Sequence, residues 1–438
     1  MRPLGLGKAS TGVASNGVGL AVSILIQVVS VPAYLGGFGA TVYGDWLVLS
    51  AIPMYLSLGD LGLASVSSTH ATRQFAVGQV AHARRTMRSS WLAVTLLSVV
   101  ILPVALALLW LLPFAHVPVQ AIPSGSARSI LLLLVGYTLV TLQSSFVEGC
   151  FRAGGRFPVG IMLANSVRLA EFLAAALTAL WSHSPVAAAG VLLVARILGH
   201  VFYLLALRRV VPELTLGYRA ARLADARELV MPGLAFLAFP VGNALAVQGM
   251  VVTTAVELGP TAVVTLNALR ILANLLRQIA SVIDNGVLPE MTAALAREDR
   301  DGARRLMNLS LVTTLLIGGL CAVTLAAAGD TILDIWTDGE IQAPVTLMVA
   351  MSMTVIADLP WLSWSLPLIA RNQHHLLGIL YAGSCLLAVV ATKLLLSRLG
   401  LVAVPLALFL TDVVLYVPAW RGASRILDRA VPIAGSDR

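Results

Sequence analysis

Residues 91–112, WLAVTLLSVVILPVALALLWLL, form an apolar run that contains no charged side chain. A run of about 20 apolar residues can cross the roughly 30 Å hydrocarbon core of a bilayer as a helix. Similar runs recur along all 438 residues, of which 58% are hydrophobic and 11% charged, and the mean hydropathy is +0.90. Average soluble domains carry about 25% charged residues. The composition therefore predicts an all-α polytopic membrane protein.

The apolar runs predict about twelve membrane-spanning helices. They cover residues 12–36, 43–68, 91–112, 129–150, 159–181, 185–207, 231–256, 261–287, 307–328, 344–369, 376–396 and 401–420. The longest connection between them, 208–230, is too short to hold a catalytic domain. The chain is therefore not expected to be an enzyme, and secondary transport or facilitated lipid movement remains.

The loops divide into two classes by their cations. Most of the 29 Lys and Arg residues fall in alternate loops, on the side that also holds both termini. The positive-inside rule then places both termini in the cytoplasm. The high sequence pI of 9.9 follows from this topology and does not indicate nucleic-acid binding.

Short matching segments recur in the two halves of the chain. ARRTMRSS at 83–90 matches ARRLMNLS at 303–310, and GIMLANS at 160–166 matches GILYAGS at 378–384. Six helices per repeat would give both halves the same orientation, related by a pseudo-two-fold axis along the membrane normal. We expect an N-terminal six-helix lobe at 1–210, a cytoplasmic linker at 211–230 and a C-terminal six-helix lobe at 231–438.

The eighth predicted span, NALRILANLLRQIASVIDN at 267–285, carries charge within an apolar segment. Spacings of three and four residues place its polar side chains on one face of a helix; they are Asn267, Arg270, Asn274, Arg277, Ser281 and Asp284. An arginine at a helix centre costs about 2.5–3.5 kcal/mol on insertion scales. This face must therefore meet protein or a wet cavity, and paired arginines favour an anionic ligand.

Other predicted spans carry polar residues that are expected to line the same cavity. Gln27, Asn243 and Asp60 are candidates for substrate binding together with Asn267, Arg270, Asn274 and Arg277. A second interpretation stays open, in which Arg270 and Arg277 form buried ion pairs with Asp60, Asp358 or Asp412. These three carboxylates are also candidates for ion coupling. Arg168 and Glu171, three residues apart, can neutralise each other or line the path.

No pattern predicts a metal site or a cofactor. Cys150, Cys321 and Cys385 lack the spacing of metal ligands or of a disulfide framework. The adjacent His374 and His375 lie in a short loop without further ligands nearby in sequence. We therefore expect no metal and no cofactor.

The segment 43–85, YGDWLVLSAIPMYLSLGDLGLASVSSTHATRQFAVGQVAHARR, contains a recognisable motif. It resembles the second helix and following loop of Wzx-type polysaccharide flippases, through Tyr43, Gly44, Trp46, Asp60, Leu61, Gly62 and Leu63. The resemblance implies the fold of the multidrug, oligosaccharidyl-lipid and polysaccharide exporter superfamily. In that fold two six-helix lobes form a V around a central cavity.

The resemblance also implies a function and a location. Such flippases move undecaprenyl-diphosphate-linked oligosaccharide repeat units from the cytoplasmic to the periplasmic leaflet of the bacterial inner membrane, for O antigen, capsule or exopolysaccharide. The expected partners are the lipid-linked oligosaccharide, membrane lipids, and polysaccharide polymerase and chain-length machinery. A cation-coupled multidrug antiporter on the same fold and a lipid II flippase are alternatives, although the first span lacks the arginines typical of lipid II flippases. A major facilitator is disfavoured because residues 69–90 contain no acid.

Overall fold

The computed structural model describes residues 6–111 and 117–428, without the side chains of residues 6–14, 16, 235, 236, 280, 281 and 285. These residues fold into helices and connecting turns, and no strand occurs among them. The chain divides into two compact units. Unit 1 contains Met1–Pro240 and Gly259–Thr261, and unit 2 contains Val241–Leu258 and Ala262–Arg438. The all-helical fold predicted from the sequence is confirmed.

The helices of unit 1 are α1 (Leu6–Phe38), α2 (Ala40–Leu56), α3 (Leu63–Ala76), α4 (Val80–Leu111), α5 (Ser124–Ala153), α6 (Phe157–Ser182), α7 (Pro185–Val210) and α8 (Leu223–Phe236). The unit is built around α5, which packs against α3, α4 and α7, while α6 packs against α1 and α7. Its buried core includes Met87, Phe146, Phe151 and Tyr203.

The boundary between the units falls within α9 (Ala238–Ala244). A π-helical turn, Leu245–Gly249, leads from α9 into the next helix. The remaining helices are α10 (Met250–Leu258), α11 (Pro260–Ala296), α12 (Arg300–Thr337), α13 (Val345–Ala370), α14 (His375–Leu399) and α15 (Ala403–Asp428). Unit 2 is built around α13, which packs against α12 and α15, and α14 packs against α10 and α15.

Eleven stretches of the described residues are long and apolar enough to cross a membrane. The last stretch, His375–Asp428, contains two helices, α14 and α15, joined by the 3-10 turn Gly400–Val402. Each of the twelve predicted spans therefore corresponds to a helical stretch of the structure. Several helices are longer than predicted, because polar residues at their ends continue the backbone hydrogen bonding that hydropathy does not detect. Helix α12, for example, begins at Arg300 instead of 307.

The second span is broken at the motif that carries the sequence resemblance. A 3-10 turn, Ser57–Asp60, ends at Leu61 and Gly62, which both have positive φ values of 51° and 70°. The Asp60 carboxylate accepts hydrogen bonds from the backbone N–H of Gly62 at 3.0 Å and of Ala64 at 3.3 Å. Asp60 thereby satisfies two of the donors that the start of α3 leaves without an intrahelical partner.

Residues 211–230, which the sequence assigned to a linker, are folded against unit 1. Leu214 and Leu229 are buried in the core of this unit. Arg85 of α4 holds Asp225 of α8 through two hydrogen bonds of 2.6 and 2.7 Å. Trp91 of α4 stacks on Tyr218 with the ring centroids 4.8 Å apart. The unit boundary at residue 240 thus lies beyond the segment where the sequence expectation had placed it.

Candidate functional site

Helix α11 is continuous from Pro260 to Ala296 and carries the polar face that the sequence predicted. Asn267 is buried with 5% exposure. Asn274 is half-buried. The side chain of Ser281 lies outside the described residues. The arginines of this face, Arg270 and Arg277, are both half-buried and have different surroundings.

Two of the groups that hold Arg270 are uncharged acceptors. Its Nη2 donates to Oδ1 of Asn267 at 2.7 Å, one helical turn earlier, and its Nη1 donates to the backbone carbonyl of Val247 at 3.3 Å. Val247 lies in the π-helical turn. Such turns interrupt the regular backbone ladder and are frequent at functional sites. Arg270 therefore links the face of α11 to an irregular turn of unit 2.

Arg277 is held by a carboxylate. Its Nη1 lies 3.4 Å from Oδ2 of Asp358 on α13, and the two side chains are 34% and 13% exposed. This is one of the ion pairs that the sequence left open. A guanidinium has five N–H donors in a fixed fork, and the bond to Asp358 uses one of them. With a third of its side chain exposed, Arg277 retains donors for a further anion.

Two further carboxylates of unit 2, Asp284 and Asp412, accept hydrogen bonds from neighbouring helices. The Ser310 hydroxyl of α12 donates to Asp284, and the Ser363 hydroxyl of α13 lies 3.5 Å from the same oxygen. Asp412 of α15 accepts a hydrogen bond of 3.1 Å from the Trp361 indole N–H. Asp284 and Asp412 therefore connect α11, α12, α13 and α15. Spacing alone gave no means of predicting these partners.

The remaining candidates, Gln27 and Asp60 in unit 1 and Asn243 in unit 2, lie outside α11. Gln27 donates to the Ser23 carbonyl of its own helix at 3.1 Å. Asp60 caps the break before α3, as described above. Asn243, in α9 of unit 2, is exposed. The structure thus brings together Asn267 and Arg270, and separately Arg277 and Asp358, and it gives Gln27 and Asp60 local partners.

Arg168 and Glu171, for which the sequence left mutual neutralisation or lining of the path open, form no direct ion pair among the described residues. Glu171 is buried against Arg196 of α7, with an N–O distance of 2.6 Å, and Arg196 also donates to the Tyr137 hydroxyl at 2.9 Å. Arg168 is exposed and donates to the Ser23 hydroxyl of α1 at 3.3 Å. Residues three apart are offset by about 60° around a helix. Because α6 packs between α1 and α7, each of the two side chains meets a different neighbour.

No family model matches the chain, and no curated protein matches it. Solved structures do resemble it. A multidrug resistance MATE family transporter of the MOP superfamily, in an inward-facing conformation, is 14% identical over 94% of both chains with a TM-score of 0.70. The MATE multidrug transporter DinF-BH, solved in complex with a ligand, is 14% identical over 97% of both chains, also with a TM-score of 0.70.

The chain has the MOP transporter fold. A MOP superfamily transporter from Pyrococcus furiosus, described by a reverse polarity of its binding pocket that suggests a different function, is 13% identical. It covers 97% of this chain and 94% of its own, with a TM-score of 0.52. These neighbours are transporters and not enzymes. The MOP fold and the eleven apolar stretches identify a multi-pass membrane protein.

Contacts between neighbouring helices explain why charged residues occur within the apolar helices. The Glu171–Arg196–Tyr137 network joins α5, α6 and α7. In unit 2, Asp284 joins α11 to α12, and Asp412 joins α15 to α13. Polar groups inside a membrane protein are stable only when neighbouring helices satisfy them. Arg196 and Glu171 gave a sequence signal, as mid-span charges. The indole of Trp361 and the hydroxyls of Ser310 and Ser363 gave none.

Proposed function

We propose that the protein is a flippase that moves an undecaprenyl-diphosphate-linked oligosaccharide from the cytoplasmic to the periplasmic leaflet. The observation that carries the proposal is the polar face of α11, where Arg270 and Arg277 lie two turns apart in an otherwise apolar span. A diphosphate presents two adjacent phosphoryl groups. Two guanidinium forks spaced along one helix can each bind one group in a bidentate manner.

The hydrogen bonds of the two arginines support a binding role. Arg270 is oriented by Asn267 and Val247, which are uncharged acceptors. These two hydrogen bonds fix the direction of the Arg270 guanidinium on the polar face of α11. Arg277 has a carboxylate partner, Asp358, at the long distance of 3.4 Å. We therefore assign a contact with the diphosphate to both arginines.

The remaining polar residues of the proposed site are suited to sugar or phosphate. Asn274 and Asn267 offer amide donors and acceptors on the same face of α11. Gln27, Asn243 and Asp60 stay proposed substrate contacts, although Gln27 and Asp60 have local hydrogen bonds as well. Hydroxyl-rich sugars are commonly bound by amide and carboxylate side chains through such hydrogen bonds.

The proposed transport requires no ATP. An inside-negative potential favours outward movement of an anion by about 2.3 kcal/mol per charge per 100 mV. Asp60, Asp358 and Asp412 are our candidates for exchange with a cation. We further propose a bacterial inner-membrane location with both termini in the cytoplasm, and cooperation with polysaccharide polymerase and chain-length proteins.

A second candidate function is a cation-coupled multidrug antiporter. The likeness to MATE multidrug transporters, one of them solved in complex with a ligand, favours this function. The buried carboxylates Asp358 and Asp412 would then serve the coupling cation. Against it, two arginines on the polar face of α11 would repel a cationic drug. A lipid II flippase would bind the same diphosphate group. It would differ from the flippase of the first proposal only in the glycan of its substrate.

The deciding experiment follows lipid-linked glycans in cells that lack the gene. We expect surface glycan to disappear and diphosphate-linked repeat units to accumulate on the inner leaflet, as identified by mass spectrometry. The wild-type gene and Arg398→Ala should restore export, whereas Arg270→Ala should not, at equal protein levels in the membrane. Arg398 is the matched control because it is an exposed arginine at the end of α14, outside the polar face.

Two results would contradict the proposal. Unchanged surface glycan and no trapped intermediate in the deletion strain would exclude a flippase role in that pathway. Extrusion of cationic drugs that is lost in Arg270→Ala, without any effect on glycans, would favour the antiporter. Trapped lipid II would reassign the substrate and leave the arginine site intact.

A further inference from the structure

A cavity of about 650 Å³ lies in unit 2, away from the polar face of α11. It is formed by the end of α13, the following turn, the first turns of α14 and the last turns of α15. None of the residues that line it belongs to α11. We call it the α14–α15 cavity. Its volume is typical of sites for small amphiphilic ligands.

One end of the α14–α15 cavity is cationic. Arg371 of the turn and Arg421 and Arg425 of α15 line it, and no carboxylate is among the lining residues. Within residues 6–111 and 117–428, no ion pair or side-chain hydrogen bond involves these three guanidinium groups. Like charges held close together repel one another. An anion bound between them would offset this repulsion.

The other part of the cavity is apolar. Leu376 and Leu380 of α14 and Val414 and Val417 of α15 line it, and all four are exposed. They lie within the membrane-crossing stretch His375–Asp428. Because α14 and α15 are antiparallel neighbours, Leu380 on α14 and Val414 on α15 both lie further along the span than the arginines, on the same side of them. The cavity thus has a charged end and an apolar wall continuous with the span.

This combination selects an amphiphile over a soluble anion. A free phosphate would neutralise the arginines but leave the leucines and valines uncovered. A phospholipid with an anionic headgroup places phosphate at the guanidinium groups and acyl chains on the apolar wall. The neighbouring Trp420 is 53% exposed, as is typical of a ring at the headgroup level.

We propose that the α14–α15 cavity binds an anionic phospholipid of the surrounding leaflet. This site is independent of the proposed flippase activity, since it shares no residue with the face of α11. Arg371 and Arg421 come from different elements, so a shared headgroup links the end of α13 to the end of α15. The positive-inside rule assigns this end of the helices to the cytoplasmic leaflet, where anionic lipids attract basic residues.

The test uses the full-length protein in phosphatidylcholine nanodiscs to which phosphatidylglycerol is added, with retained lipids counted by native mass spectrometry. We expect the wild type to retain one phosphatidylglycerol in preference to phosphatidylcholine. The double variant Arg421→Gln/Arg425→Gln should weaken this retention about 30-fold, since each arginine near an anionic headgroup contributes roughly fivefold.

The matched control is Arg297→Gln/Arg305→Gln, which removes the same charge from two exposed arginines of unit 2 outside the cavity. It should retain phosphatidylglycerol like the wild type, and circular dichroism should show equal helix content for both variants. Equal retention by the cavity variant and the wild type would overturn the proposal, as would a wild type without preference for phosphatidylglycerol. Displacement by glycerol 3-phosphate at equal concentration would show a soluble-anion site instead and would also overturn it.

Discussion

The Nη1 atom of Arg277 lies 3.4 Å from the Oδ2 atom of Asp358, and this ion pair joins helix α11 to helix α13. Arg277 thereby has two roles open to it, because the pair can hold the helices together while the other guanidinium donors meet a ligand. The Asp358 side chain is the less exposed of the two, at 13% against 34%. A variant that removes only one partner leaves the other charge uncompensated.

The first prediction separates these two roles of Arg277. Arg277→Ala should lower the stability of the protein in detergent by about 1–3 kcal/mol, since a hydrogen bond to a charged group is lost and Asp358 is left unpaired. The double variant Arg277→Ala/Asp358→Ala should recover most of the stability. It should not recover glycan export if Arg277 binds the diphosphate. Thermal unfolding and surface glycan measured on the same set of variants provide the comparison.

Arg277→Lys serves as the control, since it keeps a cation for Asp358 but loses the guanidinium fork. We expect it to be stable and to export less glycan than the wild type. Full export by the double alanine variant would instead mean that Arg277 only holds α11 against α13.

A second prediction concerns the orientation of Arg270. Asn267→Leu removes the amide oxygen that accepts from Nη2 of Arg270 at 2.7 Å. The guanidinium keeps its charge but loses the shorter of the two hydrogen bonds that fix its direction, so transport should fall about tenfold while the protein still accumulates in the membrane. Transport of a fluorescent lipid diphosphate in proteoliposomes measures this effect. Asn267→Gln, which retains an amide, should be less impaired; equal loss in both variants would argue against orientation as the cause.

A third prediction concerns the buried pair of unit 1. Glu171→Gln leaves the Arg196 charge, which is 8% exposed, without its carboxylate partner. Removing one partner of a buried pair costs about 3–5 kcal/mol, whereas an apolar replacement of both partners is often neutral. Unfolding in detergent should therefore show a large loss for Glu171→Gln and a smaller one for Glu171→Leu/Arg196→Met. If the double variant is the less stable of the two, the network contributes more than charge compensation.

The helical fold and the site followed from the sequence to different degrees. Apolar runs identified the spans because bilayer thickness sets their length. The polar face of α11 was predicted because helical periodicity places Asn267 and Arg270 together. The partner of Glu171 was not predicted, because Arg196 lies on another helix and the spacing along one helix gives no information about neighbouring helices. The hydrogen bond from Ser310 to Asp284 also joins two helices and was likewise not predicted from periodicity.

The Asp45 carboxylate is a further example of a contact that no local pattern indicated. It accepts hydrogen bonds from the backbone N–H groups of Gln120, Ala121 and Ile122, at 2.7 to 3.1 Å. These residues are more than 70 positions away in sequence. An acid at the end of a span resembles an ordinary loop charge, and only tertiary packing brings the loop 117–123 to it.

A fourth prediction tests the break in the second span. A Cβ added to Gly62 would lie 2.5 Å from the carbonyl oxygen of Gly233, and Gly62 has φ +70°. Gly62→Ala therefore combines backbone strain with a backbone clash. At Gly78, φ is +81° and nothing lies within 4 Å of the added Cβ. Gly78→Ala should cost only about 1–2 kcal/mol, the penalty of the left-handed conformation, and Gly62→Ala more, as measured by thermal unfolding. Equal losses would show that α8 moves away from the break without cost.

The last prediction concerns the attachment of α8 to α4 and its dependence on pH. The hydrogen bonds from the Arg85 guanidinium, at 2.6 and 2.7 Å, hold the pKa of the Asp225 carboxyl below its usual value, and the Ser89 hydroxyl acts in the same direction. A carboxyl whose pKa is lowered by folding stabilises the folded state above its unfolded pKa of about 3.9. This contribution is lost as the pH falls through the lower folded pKa.

The segment 211–236 should therefore stay attached at neutral pH and loosen in strongly acidic solution, where Asp225 becomes protonated. Hydrogen exchange of peptides from this segment, corrected for the intrinsic pH dependence of exchange, measures the attachment. Asp225→Asn should exchange faster than the wild type at neutral pH and show no further acid-dependent step, because it cannot ionise. A wild-type segment that exchanges equally at both pH values would mean that the apolar contacts of Leu214 and Leu229, and not the ion pair, hold α8 on unit 1.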